Sequence, residues 1–354
     1  MSRESQAKRP DSYTTEYSFL FTKLENTLIL WQQYPPGLST MPKLADYFFL
    51  GKEALHMSAK PFKTYADQLQ SLQDRGLAIN DPVEAEHILK HFNYYRLSAY
   101  RFPFQQDQDQ FISGTTFDDL WELYQFDRKL RHLVSEACKS LEISVRARWA
   151  YVLSEAHGSQ AYEDASLFAD PTRHTQHLHS IDRELERSHE VFIQHYRDEY
   201  GMPRPPIWAA TEVMSFGLLS RFYENIRQAS LKKAVAKTYD LSPQVLGSLL
   251  THTTYLRNLC AHHSRLWNRS FTITLTLPNR NPRDLVSSLD PDLTNRRIYN
   301  SLALLVHISN IVHQNDDWKE RLKAHLLTLQ RPDHSEMGFP NDWQDRFIWK
   351  HSHS

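Results

Sequence analysis

The stretch from Phe117 to about His157 is the feature that most restricts the fold of this chain. It contains neither glycine nor proline, and its polar and apolar residues follow a helical pattern. We therefore expect either one bent helix or two abutting helices over these residues. A helical segment of this length favours a bundle of helices as the surrounding fold.

Further helices are predicted on both sides of this segment. Helical spacing begins at Thr64 and ends near Gly76, and Asp81 followed by Pro82 is a good start for a second helix. We also predict helices over residues 172–200, 206–227, from 242 onward and 294–329. Only residues 271–277 alternate like a strand, and because one strand cannot form a sheet we expect an extended segment or a small hairpin piece. The predicted fold class is all-α, a helical bundle.

The sequence predicts three parts. Residues 1–57 mix polar stretches with one short apolar piece, and we expect them to be an N-terminal extension whose role the sequence does not indicate. Residues 58–116 are predicted to form a helical preface. Residues 117–350 are predicted to form a helical domain that contains the motif described below.

The composition excludes several large classes of enzyme. Only nine glycines are present, and neither G-x-x-x-x-G-K-[ST] nor G-x-G-x-x-G occurs, which argues against kinases, NTPases and dehydrogenases. No H-E-x-x-H, G-x-S-x-G or C-x-x-C string supports a zinc protease, an esterase or a thiol redox enzyme. Two cysteines, with no signal sequence and no apolar run of membrane-spanning length, lead us to expect a bacterial cytoplasmic protein without a membrane partner.

The most informative stretch is residues 254–269, TYLRNLCAHHSRLWNR. If it is helical throughout, at about 100° per residue, one polar face is formed. That face contains Arg257, Asn258, His262, Arg265 and Arg269 and no carboxylate, so we expect it to bind an anion. Guanidinium groups suit a phosphodiester, and histidine can give and take a proton near neutral pH.

RNA fits these groups because it supplies its own nucleophile, the 2′-hydroxyl. Cleavage then needs a base, an acid and a cation that stabilises the charged phosphorus, but no metal. We expect Arg257 and His262 to be catalytic, with Asn258 orienting the ring or holding a phosphate oxygen. Since one chain offers one such histidine, we expect a homodimer in which two copies of this helix face each other. Arg128 and Arg131 of the long helix would widen the RNA-binding face.

Other interpretations of the same residues stay open. A polar helix face is often only a solvated surface, and R-x-x-x-x-H spacing also arises by chance. His263 falls on the apolar side of the wheel, which favours a buried, hydrogen-bonded histidine. A metal site that combines Cys260 with His262 is disfavoured because the two lie about 160° apart on the wheel. We expect neither a metal nor a cofactor.

Six segments of the chain resemble abortive-infection proteins of the AbiD/AbiF-like group, which carry a HEPN-type helical domain. They are KPF from Lys60, NYYRLSAYRFPF from Asn93, FDRKLR from Phe126, PPIWAATEVMSFGLLSRFYENI from Pro205, LRNLCAHHSRLWNR from Leu256 and MGFPNDW from Met337. The resemblance covers the chain from about residue 60 to residue 349.

The resemblance implies a HEPN-type bundle whose R-x-x-x-x-H helix forms a metal-independent endoribonuclease site at a dimer interface. Such a site stops the growth of a phage-infected bacterium, and Arg257, Asn258 and His262 stand at its signature positions. Some members of the group are thought to work with a small non-coding RNA, which is therefore a candidate partner. One alternative is a non-catalytic RNA-binding protein of the same fold, and another is a helical interaction protein with no nucleic-acid role.

Overall fold

The computed structural model describes residues 61–106, 109–292, 296–313, 317–330 and 333–350. The chain divides into two units, Met1–Phe62 and Lys63–Ser354, and the description below concerns the second. The predicted N-terminal extension, residues 1–57, lies outside the described residues. The predicted division between a preface and a helical domain at residue 116 stays a prediction.

Fourteen α-helices and several short 3₁₀ turns form the described part of the chain, where strand pairing is limited to isolated bridges. The predicted all-α class is therefore confirmed. The helices are α1 (Tyr65–Gln73), α2 (Pro82–Phe92), α3 (Tyr94–Ser98), α4 (Phe117–His157), α5 (Pro171–Arg187), α6 (Val191–Asp198), α7 (Ile207–Val213), α8 (Phe216–Asn225), α9 (Ala229–Lys237), α10 (Pro243–Ala261), α11 (Arg283–Ser288), α12 (Tyr299–Val312), α13 (Trp318–Leu326) and α14 (Phe347–Lys350).

Helix α4 is one continuous helix of 41 residues. Thr116 caps its start, and Thr116 and Asp119 form a reciprocal capping box. A stripe of completely buried side chains runs along it at spacings of three and four, which is typical of a helix packed into a core. The stripe consists of Leu130, Val134, Cys138, Leu141, Val145 and Trp149. Helices α7, α9, α10, α12 and α13 pack along α4, so it is the central support of the bundle.

Helix α12 is enclosed by other elements. Every residue from Tyr299 to Ser309 is buried, which is typical of a helix surrounded on all sides. It packs on α4, α11, α13 and α14. Among the described helices, none combines the length and the apolar character that a membrane span requires.

Three predicted helices are each divided in the structure. Residues 172–200 contain α5 and α6, and residues 206–227 contain α7 and α8. The second break falls at Met214, whose backbone is extended and whose side chain is buried, and the N–H of Ser215 donates to Glu184 Oε2 at 2.7 Å. The predicted helix over 294–329 corresponds to α12 and α13, and its predicted start lies outside the described residues. Residues 271–277 have no regular structure, as expected.

His252 of α10 is a buried histidine whose surroundings hold it neutral. Its Nδ1 lies 2.7 Å from the carbonyl oxygen of Ile273, and its Nε2 lies 2.8 Å from Ser301 Oγ. Because a carbonyl only accepts, Nδ1 carries the proton and Nε2 accepts from the Ser301 hydroxyl. Burial lowers the pKa of His252 to about 4, and the bond to Ile273 opposes that shift.

We expect acid to destabilise the fold through His252. As the pH falls from the ordinary value of 6.5 toward about 4, the unfolded chain binds a proton that the folded chain does not bind. The stabilisation from His252 is therefore complete above pH 6.5 and is lost as the pH falls toward about 4. The loss amounts to roughly 3 kcal/mol. Urea unfolding of wild type and His252→Gln at high and low pH measures the effect. The variant should lose less stability on acidification, whereas an exposed control, His179→Gln, should match wild type. Equal pH dependence in His252→Gln and wild type would contradict the assignment.

Candidate active site

Helix α10 ends inside the predicted motif. Its last residue is Ala261, His262 caps it, and His263 has a left-handed backbone with φ 55°. The N–H of His263 donates to the Cys260 carbonyl at 3.1 Å, and the N–H of Ser264 donates to the Leu259 carbonyl at 2.8 Å. These two bonds form a Schellman motif, which terminates a helix. The prediction of one helix through Arg269 is therefore wrong.

Arg257, Asn258 and His262 lie on an exposed flank at this helix end. All three residues are exposed, and the His262 N–H donates to the Asn258 carbonyl at 3.0 Å, which keeps these two residues one turn apart. Within the described part of the chain, none of the three side chains forms a hydrogen bond or an ion pair. Their donors and the imidazole nitrogens are consequently available to an external ligand. We refer to these three residues as the α10 flank.

Two arginines that were expected to widen this face turn into the protein instead. Arg265 follows the helix end, where its Nη1 donates to the Ala99 carbonyl at 2.9 Å and its guanidinium lies over the Trp267 ring. Burial lowers the pKa of Arg265. Arg131 is buried on α4 and forms an ion pair with Asp127. Both side chains are used within the fold, and contact of either with RNA stays a prediction.

Arg128 and Arg269 are placed differently. Arg128 is exposed on α4, one residue after Asp127. Arg269 is half-buried, and its Nη1 donates to the Arg265 carbonyl at 3.4 Å. Contact of these two side chains with RNA stays a prediction.

His263 is not the buried histidine that the helical wheel favoured. Its ring is exposed, because the helix has ended and the backbone has turned into the left-handed region. Its carbonyl accepts a hydrogen bond from Arg96 Nη1 at 2.9 Å, across 167 positions of sequence. The backbone of His263 is thus held by the fold, and its ring faces solvent.

Asp127 of α4 holds the loop that follows the α10 flank. Its side chain is completely buried and accepts the N–H of Trp267 at 2.7 Å and of Leu266 at 3.1 Å. The Tyr100 hydroxyl donates to the same carboxylate at 2.5 Å, and Arg131 pairs with it. Burial raises the pKa of Asp127, and Arg131, the Tyr100 hydroxyl and the two backbone N–H groups oppose that rise. Four donors on one carboxylate fix the loop to the central helix.

Helix α3 and the residues after it hold the same loop from a second side. Arg96 donates to the His263 carbonyl, and the Ala99 carbonyl accepts from Arg265. Tyr100 adds its bond to Asp127. Three stretches that are far apart in sequence, residues 93–104, 126–131 and 256–269, therefore meet around the end of α10.

Sequence reasoning did not identify Asp127 or Arg96 as part of this arrangement. A signal existed for Asp127, because it stands in the apolar pattern of α4 four residues after the buried Leu123, where a charge needs partners. Arg96 follows two tyrosines in a short helix, and its neighbours in sequence give no sign of its bond to the His263 carbonyl.

The two cysteines are buried thiols near this end of the bundle. Cys138 and Cys260 are both free and buried. Burial raises the pKa of Cys260 to about 12 and that of Cys138 well above its usual value, so neither is a reactive thiolate. In the stretches that the structure describes, no group of three His, Cys, Asp or Glu side chains is placed to hold a metal ion.

The fold and the α10 flank together define an all-helical protein with an exposed cluster of arginine, asparagine and histidine. A family model described as Abi-like protein matches residues 87–268, just over half of the chain. The chain belongs to this family, which associates it with abortive infection, a bacterial defence against phage. The matched segment runs from α2 to the loop that Asp127 holds. No match is found among curated proteins or among solved structures.

Proposed function

We propose that this protein is a metal-independent endoribonuclease of the HEPN type that acts in abortive infection in the bacterial cytoplasm. The α10 flank carries the proposal. Its three side chains have no partner among the described residues, while the backbone around His262 is tied to the core. Exposed guanidinium and imidazole groups in a fixed position suit a polyanionic substrate.

The chemistry follows from these side chains. The 2′-hydroxyl attacks the adjacent phosphorus and loses its proton to a base, the bond from phosphorus to the 5′ oxygen breaks, and that oxygen receives a proton. His262 performs one of the two proton transfers. Arg257 holds the non-bridging oxygens, on which negative charge grows in the transition state, and Asn258 donates to a phosphate oxygen. Arg128 and Arg269 contact phosphates further along the strand.

A homodimer is part of the proposal. The α10 flank is exposed in the single chain and so is open to a second copy. Two chains related by a twofold axis would surround one RNA strand with two Arg257 and two His262 side chains. A small non-coding RNA would bind the same cationic flank and would compete with substrate there.

The products of the reaction test the proposal. Purified protein is incubated with an RNA oligonucleotide in EDTA, and the ends of the fragments are identified. We expect 2′,3′-cyclic phosphate and 5′-hydroxyl ends, and no cutting at positions that carry a 2′-O-methyl group, because the attacking hydroxyl is blocked there. Arg257→Ala should slow cleavage by about 10²–10³-fold, as the loss of one group that stabilises an oxyanion does.

A matched control is Arg187→Ala, which removes an exposed arginine from α5. It should cleave like wild type. RNA that is bound but stays intact would favour the non-catalytic RNA-binding alternative. An absence of both binding and cleavage would favour an interaction protein and would contradict the proposal.

A further inference from the structure

Cleavage by this route needs two proton-transfer groups, and His262 is one. We infer that the second is His263 of the same chain. This inference rests on the proposed endoribonuclease function. Within each chain of the proposed homodimer, it places two consecutive imidazoles at the end of one helix.

The first observation is the backbone of His263. The residue occupies the position of a Schellman motif that is usually glycine, because its left-handed conformation is unfavourable for residues with a Cβ atom. The other non-glycine residues with positive φ in the described stretches are Asn93, Asp109, Asp240 and Asn268, whose short polar side chains tolerate this region. His263, at φ 55°, is the member of this set whose side chain transfers protons near neutral pH.

The second observation is that no packing contact of the His263 ring offsets the cost of its left-handed backbone. The His263 ring is exposed, and within the described residues it makes no hydrogen bond, ion pair or ring contact. A glycine would terminate α10 equally well without the unfavourable backbone. An imidazole at an exposed left-handed position, beside a second exposed imidazole, is therefore better explained by its chemistry than by the fold. Unfavourable backbone conformations of this kind cluster at functional sites.

The third observation is how firmly the surroundings fix this conformation. The His263 N–H donates to the Cys260 carbonyl, and Arg96 Nη1 donates to the His263 carbonyl at 2.9 Å. Three residues further on, the N–H of Leu266 is bound to the buried Asp127. Charged side chains bond to this loop from several sides, and none of them is bonded to the His263 ring. They are Arg96 from α3, Asp127 from α4, Arg297, which donates to the Asn268 carbonyl at 2.7 Å, and Arg265 and Arg269 within the loop.

Two adjacent imidazoles complete the proton balance. Consecutive Cα atoms lie about 3.8 Å apart, so the two exposed imidazoles leave the backbone at neighbouring positions of the same helix end. The neutral ring takes the proton of the 2′-hydroxyl as the bond from that oxygen to phosphorus forms. The protonated ring gives its proton to the 5′ oxygen as the bond from phosphorus to that oxygen breaks. The pair ends with its protonation states exchanged and with no net gain or loss of protons, and exchange with water restores it.

Two variants separate the effect of the His263 ring from the effect of its backbone conformation. His263→Gly removes the ring and relieves the left-handed residue, so its melting temperature should equal or exceed that of wild type. His263→Asn keeps a polar side chain that tolerates positive φ but cannot transfer a proton near neutral pH. Both should bind a 2′-O-methylated RNA like wild type and cleave an unmodified RNA at least about 10²-fold more slowly.

The pH profile supplies the readout that a structural role would not change. Wild type should show a bell-shaped dependence of kcat/KM on pH, from one acid and one base, and each variant should lose one limb. Added imidazole should restore part of the cleavage by His263→Gly, because the position of the missing ring is open to solvent.

Two results would overturn the inference in distinguishable ways. Wild-type rates and an unchanged bell-shaped profile in both variants would remove His263 and leave the endoribonuclease intact, with the second imidazole supplied by His262 of a second chain. A failure of the wild-type protein itself to cut RNA in EDTA would remove the proposed function, and the assignment of His263 with it.

Discussion

Replacing His262 with alanine should slow RNA cleavage strongly and leave RNA binding nearly unchanged. The ring is exposed and has no partner in the described residues, and the cap of α10 uses the backbone N–H of this residue. Stability should therefore stay the same, while the loss of a proton-transfer group slows the reaction by about 10²–10⁴-fold. Cleavage of a fluorescent RNA in EDTA measures the rate, and a 2′-O-methylated RNA of the same sequence measures binding.

The control for His262→Ala is His179→Ala, which removes an exposed histidine from α5. It should cleave and bind like wild type. Expression of the three proteins in bacteria extends the comparison, because growth should stop with wild type and the control and continue with His262→Ala. Undiminished cleavage by His262→Ala would exclude this ring from the reaction.

Replacing Asp127 with alanine should have the largest effect on stability. The substitution leaves the buried Arg131 without its carboxylate and leaves the N–H groups of Leu266 and Trp267 without an acceptor. Breaking a buried ion pair by removing one partner typically costs about 3–5 kcal/mol. Urea unfolding followed by circular dichroism measures the free energy of unfolding. Cleavage should also fall, since the loop after His262 loses its attachment to α4.

Asp345→Ala is the matched control, because it removes an aspartate whose ion pair with Lys350 is exposed to solvent. Exposed pairs contribute less than about 1 kcal/mol, so its unfolding should match that of wild type. A stability change of that small size in Asp127→Ala would show that the carboxylate does not hold the loop.

Much of the fold could be predicted because local signals agree with tertiary packing. The long helix α4 lacks helix breakers and keeps one buried stripe, and Thr116 gives it a capped start. Asp81 before Pro82 marks the start of α2, because the Asp81 side chain caps the helix. Three predicted helices proved to be two each, α5 with α6, α7 with α8 and α12 with α13. At the break between α7 and α8 the N–H of Ser215 bonds to Glu184, which is distant in sequence.

The site was predictable only up to the point where α10 ends. Arg257, Asn258 and His262 share an exposed flank, as the helical wheel indicated. Beyond them the wheel failed for Arg265 and His263, because the residue that ends the helix is a histidine and not the glycine that would have marked the end in the sequence. Asp127 and Arg96 bond to backbone groups of the loop after α10. Because every residue has such groups, the side chains of the loop give no sign of these bonds.

The attachment of the loop to α4 has a consequence for control of the protein. Asp127 and Arg96 bond to the loop that follows the α10 flank, so this loop is fixed to the rest of the described bundle. A flank that is held in this way is not switched off by a movement of the loop that follows it. A regulator of such a protein would have to cover the α10 flank. Its release would expose the flank to substrate without any rearrangement of the loop.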